Sequence, residues 1–387
     1  MAKYDFTSLP NRRTNNSIKW QNVQKHPEQL PLWVADMDFI ALPEITQSIH
    51  DYADYAVYGY AYIKETLVEA VRNWEKTQHG YSFSKESLIF VEGVVPALGL
   101  AIQAFTQKNE AVLINTPAYP PFARTIKLNQ RKVVENSLTE KNGEFVIDFE
   151  QLEKDIVENS VKLYILCNPH NPGGRVWRKD ELLKIGEICQ KHQVLLVSDE
   201  IHQDLTLFGN VHQSFNTLSA DFKEFTIILS SATKTFNIAG VKCSFAIIEN
   251  PELRDQYLEQ RLANNQHEIS TLGMLATEAA LTHGHEWLQE LKEVLEKNVT
   301  YILDELTEKT KIKVMKPQGT YLIWLDFSAY ELSDEALQEK LLNDSQLILN
   351  SGSSFGLEGA GHARLNVAAP FTVIEEATKR LVKTFAF

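Results

Sequence analysis

Two rhythms of apolar and polar positions alternate along this chain. Short runs rich in aliphatic and β-branched residues recur through its middle: Leu88–Val91, Ala111–Asn115, Lys132–Glu135, Leu163–Cys167, Val194–Ser198, Thr226–Ser230 and Cys243–Ile248. Between them, apolar residues fall three or four apart, as in Lys179–His192, which gathers them on one helix face. Runs that are apolar throughout, interleaved with helices, predict a largely parallel sheet covered on both faces. Helical spacing also marks Ile45–Thr77 and Pro96–Gln107, and it is almost unbroken from Glu252 to about Leu306. Strand-like runs follow at Ile312–Met315, Tyr321–Leu325, Leu347–Leu349 and Arg364–Val367, with helical spacing at Ser333–Leu342 and Ile374–Thr384. The first 45 or so residues are rich in turn formers and aromatics and read as an extended arm. The expected organisation is an arm over 1–45 that packs with the small domain, a large α/β domain over 46–285, and a small α+β domain over 286–387.

The 387 residues carry 38 Lys and Arg against 51 Asp and Glu, a net charge of −13. Duplex nucleic acid and anionic membranes need a positive field, so this balance excludes them as main partners. A small anion held by local donors remains compatible. Cys167, Cys189 and Cys243 are odd in number, far apart and without a C-x-x-C pair, so they read as reduced, buried residues. No run approaches the ~18 apolar residues of a membrane span. Met1–Pro10 lacks the apolar core of a secretory signal. A cytoplasmic enzyme acting on a small molecule is the expectation.

Open α/β sheets bind ligands beyond the carboxyl ends of their strands, and the unusual residues of this chain stand there. Leu163–Cys167 runs into Asn168-Pro169-His170-Asn171-Pro172-Gly173-Gly174, a rigid turn able to aim an Asn side chain, or an ordinary loop. Val194–Ser198 runs into Asp199-Glu200-Ile201-His202-Gln203-Asp204. A carboxylate closing that apolar run needs a cationic or protonated partner. Metal ligation by Asp199, His202 and Asp204 is one reading, unsupported by any second His or Cys cluster; a carboxylate facing a protonated ring nitrogen is the other. Thr226–Ser230 leads into Ser231-Ala232-Thr233-Lys234. Most lysines are solvated surface charges, but one at a strand end after hydroxyl residues can be a desolvated imine-forming nucleophile, with hydroxyls placed for a phosphate. Gly93-Val94-Val95-Pro96 opens a helix whose free amides suit phosphate. Arg364 lies in an apolar run and wants a carboxylate, either a ligand's or one of the protein's own. Together these residues meet the binding needs of pyridoxal 5'-phosphate: an amine for its aldehyde, an acid for its ring nitrogen, an amide for its phenolic oxygen and a phosphate cradle.

The chain also resembles fold-type I pyridoxal-phosphate enzymes, and within the class I/II aminotransferase superfamily the MalY/PatB-type cystathionine β-lyase (C–S lyase) branch. The likeness rests on Leu32-Trp33-Val34-Ala35-Asp36-Met37-Asp38-Phe39, Tyr58-Gly59-Tyr60, the Gly93, Asn168, Asp199 and Lys234 segments, Gly319-Thr320-Tyr321 and Gly352-Ser353-Ser354-Phe355-Gly356. It implies the type I transferase fold, with a mostly parallel seven-stranded sheet in the large domain. It implies Lys234 as the imine-forming lysine and proton shuttle, Asp199 on the pyridinium nitrogen, Asn171 on the phenolic oxygen and Tyr119 stacked on the ring. Val94, Val95, Ser231 and Thr233 would hold the phosphate, joined by Tyr60 from the neighbouring subunit of a homodimer with shared sites. Arg364 and Ala35 would bind the substrate. His202 stands where many aminotransferases carry a tyrosine, and Lys242 where they often carry a phosphate-binding arginine.

The branch implies β-elimination of a sulfur amino acid to thiol, pyruvate and ammonia. Transamination to a 2-oxo acid shares every one of these residues and is the alternative. Gly352-Ser353-Ser354-Phe355-Gly356 also matches the G-x-S-x-G elbow of serine hydrolases, but no Asp follows Ser354 and no helical pattern succeeds it. No metal is expected.

Overall fold

A computed structural model describes residues 3–387. All seven central runs are strands of one sheet. Across it they lie in the order Leu88–Val91, Ser244–Ile247, Thr226–Ser230, Leu195–Asp199, Leu163–Cys167, Ala111–Thr116, Lys132–Ser137. Only Ser244–Ile247 runs antiparallel to its neighbours; the other pairings are parallel. Alternate residues of each strand enter different cores. Ile165 and Val197 pack with the helices Val94–Phe105 and Pro121–Leu128. Tyr164, Leu166 and Leu196 pack with Glu65–His79, Lys179–His192 and Thr271–His283 on the other face. Burial on both faces is why the inner runs are largely apolar instead of alternating, whereas the edge strand Lys132–Ser137 alternates, with Lys132, Glu135 and Ser137 exposed.

Register does the rest. Cys167 pairs with Asp199, and Asp199 with Leu229, so three neighbouring strands end at one level. The loops that begin at Asn168, Glu200 and Ser231 therefore leave the sheet side by side.

The later runs form a four-stranded antiparallel sheet in the order Lys313–Met315, Leu322–Asp326, His362–Asn366, Asn350–Ser351. The helices His285–Lys309 and Phe371–Phe385 pack together beside it. The arm carries a short 3-10 turn at Gln21–Gln24 and a two-residue strand, Leu30–Pro31, that pairs in parallel with Leu347–Ile348.

Two helical stretches differ from expectation. Glu252–Leu306 is three helices, Pro251–Ala263, Thr271–His283 and His285–Lys309. Asn265 at φ 53° ends the first, and the Ser270 hydroxyl, accepting from the Gly273 amide at 3.2 Å, caps the second. Ile45–Thr77 is two helices, Pro43–Asp54 and Glu65–His79, joined by an exposed segment in which Tyr55, Val57, Tyr58, Tyr60 and Tyr62 are each at least 68% exposed.

Candidate active site

Where the three loops leave the sheet, a cavity of about 250 Å³ opens, walled by Ala35, Val94, Val95, Tyr119, Asn171, Asp199, His202, Lys234 and Lys242. Lys234 lies on a single helical turn, Ala232–Thr235, capped by Ser231, whose hydroxyl accepts from the Thr233 amide at 3.1 Å. Its Nζ donates to the Ala35 carbonyl at 2.6 Å. Little water reaches that amine, and Arg364 adds positive charge, so it is pushed down to about 8. Asp199 accepts from the Ile201 amide at 3.1 Å. Burial pushes its carboxyl up to about 7, against that hydrogen bond. A buried acid this strained gains most from a cation brought to it.

His202 is also buried, and burial first, then Lys234 and Arg364, push it down to about 3. It is a neutral imidazole whose Nδ1 meets no partner. Its ring stands edge-on to Tyr321, whose hydroxyl donates to the same Ala35 carbonyl at 3.0 Å.

Arg364 remains a cation although burial pushes it down to about 10. It donates to Asn171 Oδ1 at 2.9 Å, to the Trp33 carbonyl at 2.8 Å and to Asn350 Oδ1 at 2.6 Å. All three acceptors are neutral, and its Nε has no partner. The internal ion pair considered from sequence is not what its hydrogen bonds make. The Asn171 contact also commits that amide oxygen, leaving its NH2 as the available donor. The turn carrying Asn171 depends on Gly174, at φ 65°, where an added Cβ would lie 2.5 Å from the Pro317 ring.

Other sequence-chosen residues stand elsewhere. Ser231 Oγ lies 2.8 Å from Thr233 Oγ1 and donates to the Cys243 carbonyl at 2.9 Å, so both hydroxyls serve the lysine's turn. Tyr60 is 98% exposed, beside a separate hollow that it lines with Gly59 and His267. Glu92, which carried no assigned role, lines both that hollow and the cavity. Asp204 accepts from Trp74, His79 and Thr235, and among the described residues no three His, Cys, Asp or Glu side chains are grouped as metal ligands, which does not fit the metal reading. Ser354 donates to the Ser351 carbonyl at 2.6 Å, as an ordinary turn hydroxyl does. Tyr321 and Asn350 were missed as site residues. Tyr321 stood within a quoted motif but had no role without its neighbours in space.

The donor set fits a phosphorylated aldehyde with a basic ring. A depressed amine, a strained buried acid, an amide donor and the first amides of the helix Val94–Phe105 share one wall.

Residues 28–381 match the family described as aminotransferase class I and II. The chain belongs to that family. It is 40% identical to cystathionine beta-lyase PatB of Bacillus subtilis (strain 168), over 97% of this chain and 98% of that one. It is 31% identical to protein MalY of Escherichia coli (strain K12), over 98% of each. Among solved structures it superposes on cystalysin from Treponema denticola, which contains a pyridoxal 5'-phosphate cofactor, with a TM-score of 0.95, 38% identity and 98% of both chains covered. The pyridoxal-phosphate-bound C–S lyase from Staphylococcus hominis superposes with a TM-score of 0.93 and 30% identity, over 99% of this chain and 98% of that one. The aminotransferase fold expected from the sequence is the one observed.

Proposed function

We propose that this class I and II aminotransferase family member is a pyridoxal-phosphate-dependent C–S β-lyase of the cystathionine β-lyase type. It converts a sulfur amino acid and water to a thiol, pyruvate and ammonia. The observation that carries the reading is Lys234, an amine held near pKa 8 in one cavity with buried Asp199 and with Asn171, to which Arg364 donates at 2.9 Å. End-to-end likeness to proteins named cystathionine β-lyase directs it to sulfur chemistry.

Bound pyridoxal phosphate supplies an electron sink that acidifies the substrate Cα–H. Lys234 would bind the cofactor covalently and, once displaced by the substrate amine, take the Cα proton. A thiolate on Cβ then leaves with the electron pair of the C–S bond. Asp199 would hold the ring nitrogen protonated, relieving the strain of its own burial. Asn171, its oxygen turned to Arg364, would donate to the phenolic oxygen, and Tyr119 would cover one ring face. The Val94 and Val95 amides, with Lys242, would face the phosphate, and Ser231 and Thr233 would support that edge through the lysine's turn. Arg364 would take the substrate carboxylate beside Ala35, and His202, neutral and with a free Nδ1, would adjoin the phenolic side.

A homodimer with shared sites accounts for the exposed Tyr55–Tyr62 segment, which would carry Tyr60 to the partner's phosphate. Three buried free cysteines accord with a cytoplasmic location. Among the described residues no helix is long and apolar enough to cross a membrane. The division into arm 1–45, cofactor-binding domain 46–285 and small domain 286–387 is supported by the two main sheets, which occupy separate stretches of chain.

The test is pyruvate release from L-cystathionine with no 2-oxo acid present, compared with amino transfer to 2-oxoglutarate. Homocysteine and pyruvate in equal amounts without a 2-oxo acid are expected. Turnover that requires a 2-oxo acid assigns the chain to transamination.

A further inference from the structure

Behind the cavity lies a second set of buried titratable groups that the proposed reaction does not use. Asp204 is at its centre, its side chain 4% exposed. Its Oδ1 accepts from Trp74 Nε1 at 2.9 Å and pairs with His79 Nε2 at 2.8 Å; its Oδ2 accepts from Thr235 Oγ1 at 2.7 Å. The His79 ring meets His212 edge-on at 5.5 Å, and His212 pairs at 3.0 Å with Glu200, a carboxylate with no exposure. Glu75 completes the set through Gln203. Burial pushes the Asp204 carboxyl up, but the His79, Thr235 and Trp74 donors together hold it below the usual carboxylate range. It is a fixed anion.

One of the three donors to that anion is the residue next to Lys234. The lysine rides on a single turn of helix, Ala232–Thr235, and one turn has almost no stability of its own. Ser231 ties its first end to the Cys243 carbonyl. Its last end is tied through Thr235 to Asp204 Oδ2, and Asp204 is anchored to the helix Glu65–His79 by His79 at Oδ1, where Trp74 is only a second donor to an oxygen already held. We infer that Asp204, set by His79 and acting through Thr235, is the positioning residue for Lys234. It fixes the backbone from which the amine reaches the cofactor and the substrate Cα. Misplacement of a reacting group by ~1 Å costs about a hundredfold in rate, so this hydrogen bond belongs to kcat.

The inference rests on the reading of Lys234 as the cofactor-binding base. The experiment uses the cofactor-loaded enzyme and three variants. Thr235→Val removes one hydroxyl at nearly constant shape; Thr235→Ser restores it; Trp74→Phe removes a different donor to the same carboxylate. Thr235→Val is expected to lower kcat about a hundredfold, with KM for L-cystathionine within about threefold of native. Its dissociation constant for pyridoxal phosphate, measured by dialysis and cofactor fluorescence, is expected to rise about tenfold, in proportion to the misplaced amine. Thr235→Ser is expected to recover most of both losses. Trp74→Phe, although it also costs Asp204 a partner, is expected to keep kcat within about threefold of native. Native kcat and cofactor affinity in Thr235→Val overturn the inference. So does an equal fall of kcat in Trp74→Phe, which would mark general disturbance of the core. If Thr235→Val does not fold, an unrestored kcat in Thr235→Ser overturns it instead. A native protein that cleaves no sulfur amino acid fails the lyase reading, a result distinct from each of these.

Discussion

Changing Asp199 to Asn separates the strain stored in the cofactor-free protein from its release on binding. Burial pushes the Asp199 carboxyl up to about 7 from an ordinary 3.8. A carboxyl raised in the folded state holds its proton more tightly there than in the unfolded chain. Its effect on stability is therefore most favourable below pH ~4, declines as pH rises to about 7, and is constant above. At about 1.36 kcal/mol per unit, the full decline is about 4 kcal/mol. Asn has nearly the same shape, keeps an acceptor for the Ile201 amide and carries no charge, so the variant escapes that decline. Glu75, also pushed up to about 7 by burial, is common to both proteins and drops out of their difference. With a melting entropy of about 2.1 cal/mol/K per residue, 4 kcal/mol is worth about 5 °C in a chain of this length. Calorimetry of cofactor-free protein should find the two melting together near pH 4 and Asp199→Asn about 5 °C higher at pH 8. Saturation with pyridoxal phosphate should reverse the order, because only the native carboxylate gains a cationic partner. A cofactor-free native protein that melts at or above the variant at pH 8 would refute the account of Asp199 as a strained acid.

Other outcomes follow from the same geometry. Lys234→Ala should bind no cofactor covalently, so borohydride reduction followed by mass spectrometry should leave the variant without the mass that native protein acquires. Arg364→Lys keeps a cation but loses the fork; the loss of one charge-assisted hydrogen bond, about 1.5–3 kcal/mol, should lower kcat/KM for L-cystathionine by roughly 10- to 100-fold. Lys19, fully buried, pairs at 2.7 Å with Asp38, which Arg12 also contacts at 2.7 Å. Lys19→Met should cost about 3 kcal/mol in denaturant unfolding, the low end for a broken buried pair because Arg12 remains; a loss under about 1 kcal/mol would show that Arg12 alone suffices.

Most of the central strands could be read from the chain because they are buried on both faces, which leaves a largely apolar run; the edge strand Lys132–Ser137, exposed at Lys132, Glu135 and Ser137, showed instead by its alternation and β-branched pair Val133-Val134. The same logic hid the helix breaks. Residues 264–270 and 55–64 interrupt helical spacing for fewer than a dozen residues each; the aromatics of 55–64 keep the rhythm going, and 264–270, polar but for Ile269, is too short to stand out from the helical spacing on either side. The hairpin Thr139–Lys141/Glu144–Val146 escaped for the opposite reason: its first strand is wholly exposed, so only the Asn142-Gly143 turn betrayed it. Among the site residues, those at strand ends announced themselves as costly polar groups after apolar runs. Tyr321 and Asn350 did not, because a tyrosine near a strand and an asparagine on a polar two-residue strand acquire meaning only through the Ala35 carbonyl and Arg364. Ser231 and Thr233 were chosen as hydroxyls free for a phosphate, yet geometry turns them toward each other and the backbone.

The arm over residues 33–37 has a consequence for how the chain assembles during synthesis. Its carbonyls at Trp33, Val34 and Asp36 are taken by Arg364 and Asn366, partners 331, 332 and 330 residues further along. The Met37 amide and carbonyl are held by Asn237, 200 residues on. Contacts of such separation are the slowest a chain can close. The central sheet is complete once Ile247 has emerged from the ribosome, with the Lys234 turn already in place. The carbonyls of Trp33, Val34 and Asp36 must then wait for partners made nearly last. The Ala35 carbonyl that steadies the lysine amine lies between the two carbonyls that Asn366 holds, so the last constraint on that wall of the pocket comes from one of the last parts of the chain to be made.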